Sequence, residues 1–300
     1  MQSILSKYPS IKVVCLSLAT IGLTACGGGS GGGDSDLSIG SVSNNSGLPA
    51  NGENDQFTGS VVEKLDLSTP KNIIYDFPFG VSGVARLDAQ TPLTQQGLVT
   101  KFGDFEMSGD IVAKEIQGNK NYLIARLTRG TVDYTQTHKT PVTHRIENIE
   151  NHVNGSYYYF ASQPLTSKLS LSPAKTISCT DYHITTAKIM GGNGPYFITP
   201  TLTDGNLTIG TDGNLTAKFT VRYNNEQTLF EGKDTYSTAL NSYSSYKILG
   251  HQNIAGSSAA IGSYNIGQNG KDSLVVGAIY NIKLNNGSNY EGALSMVCNY

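Results

Sequence analysis

The feature that most restricts the fold is a strict alternation of apolar and polar residues between turn signals. In the stretch TAKFTVRY, Thr216–Tyr223, every second residue is apolar: Ala217, Phe219, Val221 and Tyr223. A period of two is that of a half-buried antiparallel strand. The hexapeptide TDGNLT occurs twice, at 203–208 and 211–216, and its Asp-Gly pair favours a tight hairpin turn. The sequence therefore predicts successive short antiparallel strands.

Strand patterns of this kind cover most of the chain, and helical spacing is sparse. Only the segment 142–153, with Ile146, Ile149 and Val153 at helical intervals, indicates a short helix. We predict an all-β protein with an antiparallel β-barrel or sandwich in the C-terminal half and a β-rich N-terminal part. The glycine and proline residues in MGGNGPYFITP interrupt regular secondary structure, and they predict a boundary between a domain at 57–192 and a domain at 193–300.

The register of the last predicted hairpin follows from its apolar faces. Alternate apolar residues run through 276–284 and 290–300, on either side of an Asn-Gly pair at 286–287. A two-residue turn at this pair would put the two apolar faces on opposite sides of the sheet. A three- or five-residue loop that sets Leu284 opposite Tyr290 keeps them on one side. We predict the longer loop against the local Asn-Gly preference.

The first 25 residues have the parts of an export signal. MQSILSKYPSIK carries two lysines and no acid, and the apolar run VVCLSLATIGL follows. This run is shorter than the roughly 20 residues that a membrane-spanning helix needs. It ends in LTAC, 23–26, which resembles the lipobox of bacterial lipoproteins. The resemblance implies that Cys26 becomes the first residue and carries diacylglycerol and palmitate. A soluble protein cleaved near Ala25 is the alternative.

Residues 26–56 are predicted to form a disordered Gly/Ser tether. This segment has almost no apolar side chains whose burial would offset the entropy cost of ordering it. A flexible coil of about 30 residues has a typical end-to-end distance of roughly 30 Å. That distance would lift a folded body clear of lipid headgroups. Glycine after the lipidated cysteine, instead of aspartate, resembles lipoproteins that are sent to the outer membrane.

Net charge limits the possible binding partners, and the number of cysteines indicates a disulfide. Without the signal the chain has 19 basic and 23 acidic side chains. It therefore has no excess of positive charge that would bind nucleic acid or anionic lipid. Cys15 leaves with the signal and Cys26 is the lipid site, so Cys179 and Cys298 remain. Two cysteines in an oxidising compartment usually form a disulfide, and two buried thiols are the alternative.

Tyrosine is the side chain that most suggests recognition, because the chain has 17 tyrosines and no tryptophan. Four aromatic residues are consecutive: Tyr157, Tyr158, Tyr159 and Phe160. Alternation puts two rings on each face, so an exposed pair is expected to contact a ligand. A strand buried between two layers is the alternative. A Ser-rich loop supplies three further candidates for ligand contact: Tyr236, Tyr243 and Tyr246.

No sequence pattern indicates catalysis. His138, His144 and His152 are six and eight residues apart, which does not place two of them on one helical face as a zinc pair requires. Convergence with His183 or His251 in space is the alternative, and it would allow haem or zinc capture. No nucleophile elbow accompanies these histidines, and no phosphate loop follows a strand. We expect a protein that is not an enzyme, with no catalytic residue, metal or cofactor.

The overall layout resembles the Gram-negative surface lipoproteins related to transferrin-binding protein B. The resemblance rests on the lipobox, the tether, the short C-terminal strands and the stretch DGNLTAKF, 212–219, which is similar to one of their barrel strands. It implies a handle-like domain, an eight-stranded barrel and exposure on the cell surface. The ending LSMVCNY departs from the family's glycine-rich aromatic close, so no binding residue is carried over.

These inferences give an expected function and an alternative. We expect a lipid-anchored outer-membrane protein on the cell surface that acts as a binding protein and captures a host protein or haem. The alternative is a structural or assembly lipoprotein that faces the periplasm and has no external ligand.

Overall fold

Nineteen antiparallel strands and no α-helix make up the part of the chain that the structure describes. The strands are β1 (Lys71–Phe77), β2 (Val81–Leu87), β3 (Lys101–Phe102), β4 (Phe105–Asn119), β5 (Tyr122–Gln136), β6 (Val142–Ile146), β7 (Tyr157–Pro164), β8 (Lys175–Ile184), β9 (Ala187–Gly191), β10 (Phe197–Ile198), β11 (Thr201–Ile209), β12 (Asn214–Tyr223), β13 (Glu226–Ser237), β14 (Ser242–Tyr243), β15 (Lys247–Ile248), β16 (Gly250–Asn253), β17 (Ser263–Gln268), β18 (Ser273–Lys283) and β19 (Asn289–Asn299). The prediction of an all-β fold is confirmed.

The computed structural model describes residues 63–77, 81–136, 142–146, 149, 155–237, 242–243, 247–248, 250–253 and 263–300. The chain divides into two units, Met1–Gly52 and Glu53–Tyr300, and every described residue belongs to the second. The predicted signal at 1–25 and the tether at 26–56, including Cys26, lie outside the described residues. Within the described ranges, no helix has the length and apolar character to cross a bilayer.

Hydrogen bonds join the strands into one large antiparallel sheet. The order in its N-terminal part is β2-β1-β7-β5-β4-β3, with β6 beside the far end of β5. In the C-terminal part it is β16-β13-β12-β11-β8-β19-β18-β17-β15. Strands β7 and β17 connect the two parts. Pairings between the described strands do not close the sheet into a barrel. The two ends of its C-terminal part, β15 and β16, flank residue 249, which lies outside the described residues.

Alternate residues of the central strands supply three hydrophobic cores. The N-terminal core includes Ile73, Leu123 and Tyr159, and the C-terminal core includes Phe219 and Met296. The third core lies between the two parts of the sheet and consists of Ile74, Tyr122, Ile124, Tyr158, Phe160, Val275, Ile279, Ala293 and Val297. The predicted alternation in TAKFTVRY is confirmed, because the alternate residues from Ala217 to Val221 are buried in the C-terminal core.

The hairpin of β18 and β19 has the predicted loop type in a different register. The backbone N–H of Leu284 donates to the carbonyl of Ser288 at 2.8 Å, which leaves the three-residue loop 285–287. Gly287 has φ +84°, the left-handed conformation typical of the last position in such a loop. Ile282, and not Leu284, lies opposite Tyr290. The predicted register is wrong by two residues, and a shift of two keeps the same apolar face.

The predicted short helix at 142–153 is wrong for its first five residues. Val142–Ile146 is strand β6, and it pairs with Val132–Gln136 of β5. The apolar residues of this segment have helical spacing, but an available strand edge overrides that weak local preference. Of the remaining residues, only Ile149 is described, and its side chain is buried in the N-terminal core.

The proposed domain boundary at 192–193 stays a prediction. Two strands that precede it, β8 and β9, pair with strands that follow it, namely β11, β19 and β10. The structure groups residues on both sides of this position into the single unit Glu53–Tyr300.

A disulfide joins Cys179 of β8 to Cys298 of β19, as the sequence led us to expect. The two residues are register partners in neighbouring strands, and they are 119 positions apart in the chain. Both are buried in the C-terminal core. The bridge therefore fixes the last strand in chain order to a strand in the middle of the chain.

Candidate functional site

The three tyrosines predicted at an exposed surface are buried. Tyr157, Tyr158 and Tyr159 each have 0% exposure. Their strand, β7, is flanked by β1 and β5, and it lies between two layers. Tyr157 and Tyr159 face the N-terminal core, and Tyr158 faces the third core. The prediction of an exposed aromatic pair is wrong, because alternation decides which face a ring occupies and not whether another layer covers that face.

Internal hydrogen bonds use two of these hydroxyl groups. The Tyr158 hydroxyl donates to the carbonyl of Thr186 at 2.9 Å, and the Tyr159 hydroxyl accepts from the backbone N–H of Val99 at 3.2 Å. Burial raises the pKa of both phenols well above the ordinary value. These side chains therefore stabilise the interior and do not form a ligand surface.

The Ser-rich candidate segment is only partly described. Tyr236 is partly buried, and its hydroxyl donates to the carbonyl of Thr166 at 2.9 Å. The register of β13 and β14 sets Tyr236 opposite Tyr243. The side chain of Tyr243 and the whole of Tyr246 lie outside the described residues. Their role in ligand contact stays a prediction.

One histidine side chain, His183 of β8, belongs to the described residues. Its Nε2 atom is buried and has no hydrogen-bond partner among the described residues. Burial lowers the pKa of His183 from 6.5, and the nearby Glu115 carboxylate partly opposes this effect. No group of three His, Cys, Asp or Glu side chains among the described residues is arranged to hold a metal ion.

Two cross-strand ion pairs form a buried charged cluster, which consists of Glu115, Arg126, Lys188 and Glu291. The Arg126 Nε donates to Glu115 Oε2, and its Nη1 lies 3.3 Å from Ser156 Oγ. The Arg126 side chain is only 2% exposed. Its guanidinium lies over the Phe197 ring, 5.5 Å from the centroid, in a cation-π contact.

Lys188 and Glu291 form the second pair of the cluster. The Lys188 Nζ lies 3.0 Å from Glu291 Oε1, and it donates to the Ser156 carbonyl at 2.6 Å. Glu291 Oε1 accepts no hydrogen bond of acceptable angle, so the pair is a charge contact and not a directed bond. The ammonium also lies 5.1 Å from the centroid of the Tyr158 ring.

None of the sequence-based predictions included this buried charged cluster. Charged residues in an alternating strand normally face solvent, and that default applies to Arg126 in YLIARL and to Lys188 in AKIMG. One signal was available. Apolar residues occupy both faces of YLIARL, which indicates a strand covered on both sides and therefore a buried arginine. All four charged groups are deeply buried, so the cluster is a structural feature of the interior.

An exposed aromatic side chain, Tyr182, lies where the neighbouring strands β8 and β11 both have β-bulges. The register between β8 and β19 shifts near Asp181, which has φ +47°. The register between β11 and β12 shifts between Thr203 and Asn206, and Asp204 at this point has φ +56°. Non-glycine residues seldom adopt such angles. Bulges re-aim side chains, and the residue that follows Asp181, Tyr182, is 42% exposed.

We name the exposed patch formed by Asp181, Tyr182, Thr203, Asp204 and Arg222 the Tyr182 surface. The Tyr182 hydroxyl lies 3.4 Å from the Gly205 carbonyl. A Cβ at Gly205 would lie 2.7 Å from Tyr182 Cε1, so the ring packs directly on the glycine. Arg222 Nη2 lies 3.2 Å from Asp204 Oδ2, and its Nε donates to Thr203 Oγ1 at 3.1 Å. The aromatic ring and the guanidinium are held in place at an accessible position.

Comparison with known proteins assigns no family to the chain. No family model matches it, and no curated protein matches it. Among solved structures, it is similar to the vaccine antigen transferrin binding protein B from Haemophilus parasuis Hp5, in a double mutant form. The similarity covers 77% of this chain and 45% of that chain, with 13% sequence identity and a TM-score of 0.30. The chain thus spans less than half the length of that structure.

Proposed function

We propose that the chain is a lipoprotein anchored in the outer membrane through Cys26, and that its body binds an extracellular protein. The anchor is supported by the export signal, by LTAC at 23–26 and by the polar tether that follows. Export is supported by the Cys179–Cys298 disulfide, since disulfides persist mainly in oxidising compartments.

The observation that carries the binding role is the exposure of Tyr182 at two adjacent bulges. Tyrosine and arginine are enriched among the residues that dominate binding energy at protein interfaces. Tyr182 and Arg222 are both exposed on the Tyr182 surface, and local contacts hold both of them. A prepositioned ring loses little conformational entropy when a partner docks on it.

A protein partner is favoured over haem by the side chains that are described. Haem capture relies on an accessible axial ligand such as histidine or tyrosine. Among the described side chains, His183 has its Nε2 buried, and the Tyr182 hydroxyl donates to the Gly205 carbonyl at 3.4 Å. The Tyr182 surface instead offers an aromatic ring beside exposed carboxylates, of which Asp204 is paired with Arg222. This mixture of an aromatic centre and a polar rim is typical of protein interfaces.

The first test is protease treatment of intact cells. Cleavage within the predicted tether is expected to release the body into the medium while periplasmic marker proteins stay intact. A Cys26→Ala variant, which lacks the lipid-acceptor thiol, is expected to leave the membrane fraction. If the body is released only after the envelope is breached, the surface location is wrong and the periplasm-facing alternative gains support.

The second test concerns the contact surface. Proteins captured from host serum by the mature chain are identified and purified, and the Kd of each is measured for the wild type and for Tyr182→Ala. We expect the variant to bind at least about 30-fold more weakly, because loss of a central aromatic residue at an interface costs about 2 kcal/mol or more. Haem is titrated in parallel as the competing ligand.

A matched control is Val84→Ala, since Val84 on β2 is the other large apolar side chain with high exposure in the described part of the chain, at 41%. This variant is expected to keep the wild-type Kd. Equal losses in both variants, or an unchanged Kd for Tyr182→Ala, would exclude the Tyr182 surface as the binding site.

A further inference from the structure

Asparagine followed by glycine is the dipeptide most prone to spontaneous loss of the side-chain amide. Glycine has no side chain that hinders the approach of its backbone nitrogen to the asparagine carbonyl carbon. The chain contains five such pairs, at 51–52, 154–155, 193–194, 269–270 and 286–287. Both residues of the last three pairs belong to the described part of the chain. The local structure around each of these three pairs decides how readily it reacts in the folded protein.

The reaction closes a five-membered ring between the two neighbouring residues. The backbone nitrogen of the glycine attacks the side-chain carbonyl carbon of the asparagine, and the amide nitrogen leaves as ammonia together with the glycine N–H proton. Water then opens this succinimide and gives aspartate or isoaspartate. The attack requires an approach of about 3–3.5 Å between nitrogen and carbon. Hydrogen bonds that hold either group in another position therefore slow the reaction.

The pair at 286–287 is held by two hydrogen bonds of the loop between β18 and β19. The Gly287 N–H, which would supply the attacking nitrogen, donates to the Leu284 carbonyl at 2.9 Å. The Asn286 Oδ1 accepts from the backbone N–H of Ser288 at 2.9 Å. The left-handed conformation of Gly287 belongs to the same turn. Reaction at this pair therefore requires the loop to open.

The pair at 269–270 is held through the asparagine side chain. Asn269 Oδ1 accepts from Asn119 Nδ2 at 3.0 Å, and Asn269 Nδ2 lies 3.5 Å from Ser273 Oγ. The backbone N–H of Asn269 donates to the Ser273 carbonyl at 2.9 Å, and Gly270 has φ +96°. Rotation of the Asn269 amide towards the Gly270 nitrogen would break the contact with Asn119.

The pair at 193–194 has neither restraint. It lies in the connection between β9 and β10, and Asn193 is exposed. Within the described ranges, neither the Asn193 side chain nor the Gly194 N–H makes a hydrogen bond. The next residue anchors the connection, because the Pro195 carbonyl accepts from the Tyr290 hydroxyl at 2.9 Å. Both reacting groups are thus available in a connection that is fixed beside them.

We propose that Asn193 is a site of spontaneous deamidation in the folded protein, and that the product is an aged form with one additional negative charge. The glycines on both sides pack closely on Ser288. A Cβ at Gly192 would lie 2.5 Å from Ser288 Cα, and one at Gly194 would lie 2.8 Å from Ser288 Oγ. Isoaspartate adds a methylene group to the main chain between these two glycines. The modification therefore displaces the connection from Ser288 in addition to changing its charge.

The test is incubation of the full mature chain at pH 8 and 37 °C, with peptide mass spectrometry at intervals. Deamidation raises the mass of a peptide by about 1 Da, and fragmentation assigns the change to one asparagine. We expect Asn193 to react at least about tenfold faster than Asn269 and Asn286, because each of these must first lose hydrogen bonds of the folded state. Equal rates at the three positions, or an intact Asn193, would overturn the proposal.

Unfolding separates the effect of the structure from that of the dipeptide. In guanidinium chloride with a reductant, which breaks the Cys179–Cys298 disulfide, the three asparagines are expected to react at similar rates. An advantage of Asn193 that persists in the unfolded chain would mean that its neighbours in sequence, and not the fold, set its rate. That result would contradict the proposal.

Asn119→Asp is a matched variant that releases one of the restrained pairs. The new carboxylate still accepts from the Asn121 N–H, as Asn119 Oδ1 does at 2.8 Å, but it no longer donates to Asn269. Deamidation of Asn269 in the folded variant is expected to become about fivefold faster, while the rate at Asn193 stays unchanged. An unchanged rate at Asn269 would show that side-chain hydrogen bonds do not control the reaction. The comparison within the wild type decides the question by itself if the variant does not fold.

Discussion

Replacing Cys179 and Cys298 together with alanine is expected to lower the free energy of unfolding by about 4–5 kcal/mol. The disulfide closes a loop of 119 residues, and a loop of that size removes a large amount of conformational entropy from the unfolded chain. Both sulfur atoms lie in the C-terminal core, so the substitution also removes packing there. Urea unfolding followed by circular dichroism measures the change.

Reduction of the wild-type protein provides the matched control for this prediction. Under unfolding conditions with a reductant, the wild-type midpoint should approach that of the double variant, because the thiols no longer constrain the unfolded chain. If the double variant loses less than about 1 kcal/mol, the chain-entropy account does not hold for this loop.

The second large effect is expected from Arg126→Met. The substitution leaves the Glu115 carboxylate buried without its arginine, and loss of one partner from a buried pair costs about 3–5 kcal/mol. The Ser156 hydroxyl and the Phe197 ring also lose a contact. The free energy of unfolding at pH 7.5, again from urea titration, is the quantity to measure.

Two control variants make this result specific. Glu115→Met combined with Arg126→Met removes both charges and should be about 2 kcal/mol less destabilised than Arg126→Met alone. Lys218→Met breaks the pair with Glu231, whose side chains are both 42% exposed, and should cost under about 1 kcal/mol. Equal losses for Arg126→Met and Lys218→Met would mean that burial does not set the strength of these pairs.

The sequence predicts the fold class and the disulfide because both depend on simple constraints. A period of two is visible in single strands such as 216–223, and the predicted export signal and lipid site leave Cys179 and Cys298 as the available pair. The hairpin register is less well determined, since the apolar faces of β18 and β19 stay matched when one strand slides by two residues. The turn itself sets the register, because Gly287 adopts the left-handed conformation that a three-residue loop requires.

The candidate site is harder to predict, because exposure depends on which strands cover one another. Tyr157, Tyr158 and Tyr159 satisfy every local rule for a recognition strand. The packing of β18 and β19 against one face of β7 buries Tyr158, and the N-terminal core on the other face buries Tyr157 and Tyr159. The exposure of Tyr182 cannot be predicted from a local sequence pattern, because it depends on bulges in two strands that become neighbours only after folding. The buried charged cluster is hidden in the same way, by contacts between parts distant in the chain.

The position of β19 in the sheet has a consequence for the order of folding. This strand is the last in chain order, yet it lies between β8 and β18 and contributes to both the C-terminal and the third core. Its pairs with β8 and β9 span about a hundred residues, a high contact order that is typical of slow folding. The body cannot complete its sheet until β19 is free to pair with β8, β9 and β18. On the export route proposed above, secretion machinery therefore meets an unfolded polypeptide, and the native structure forms only after β19 has emerged.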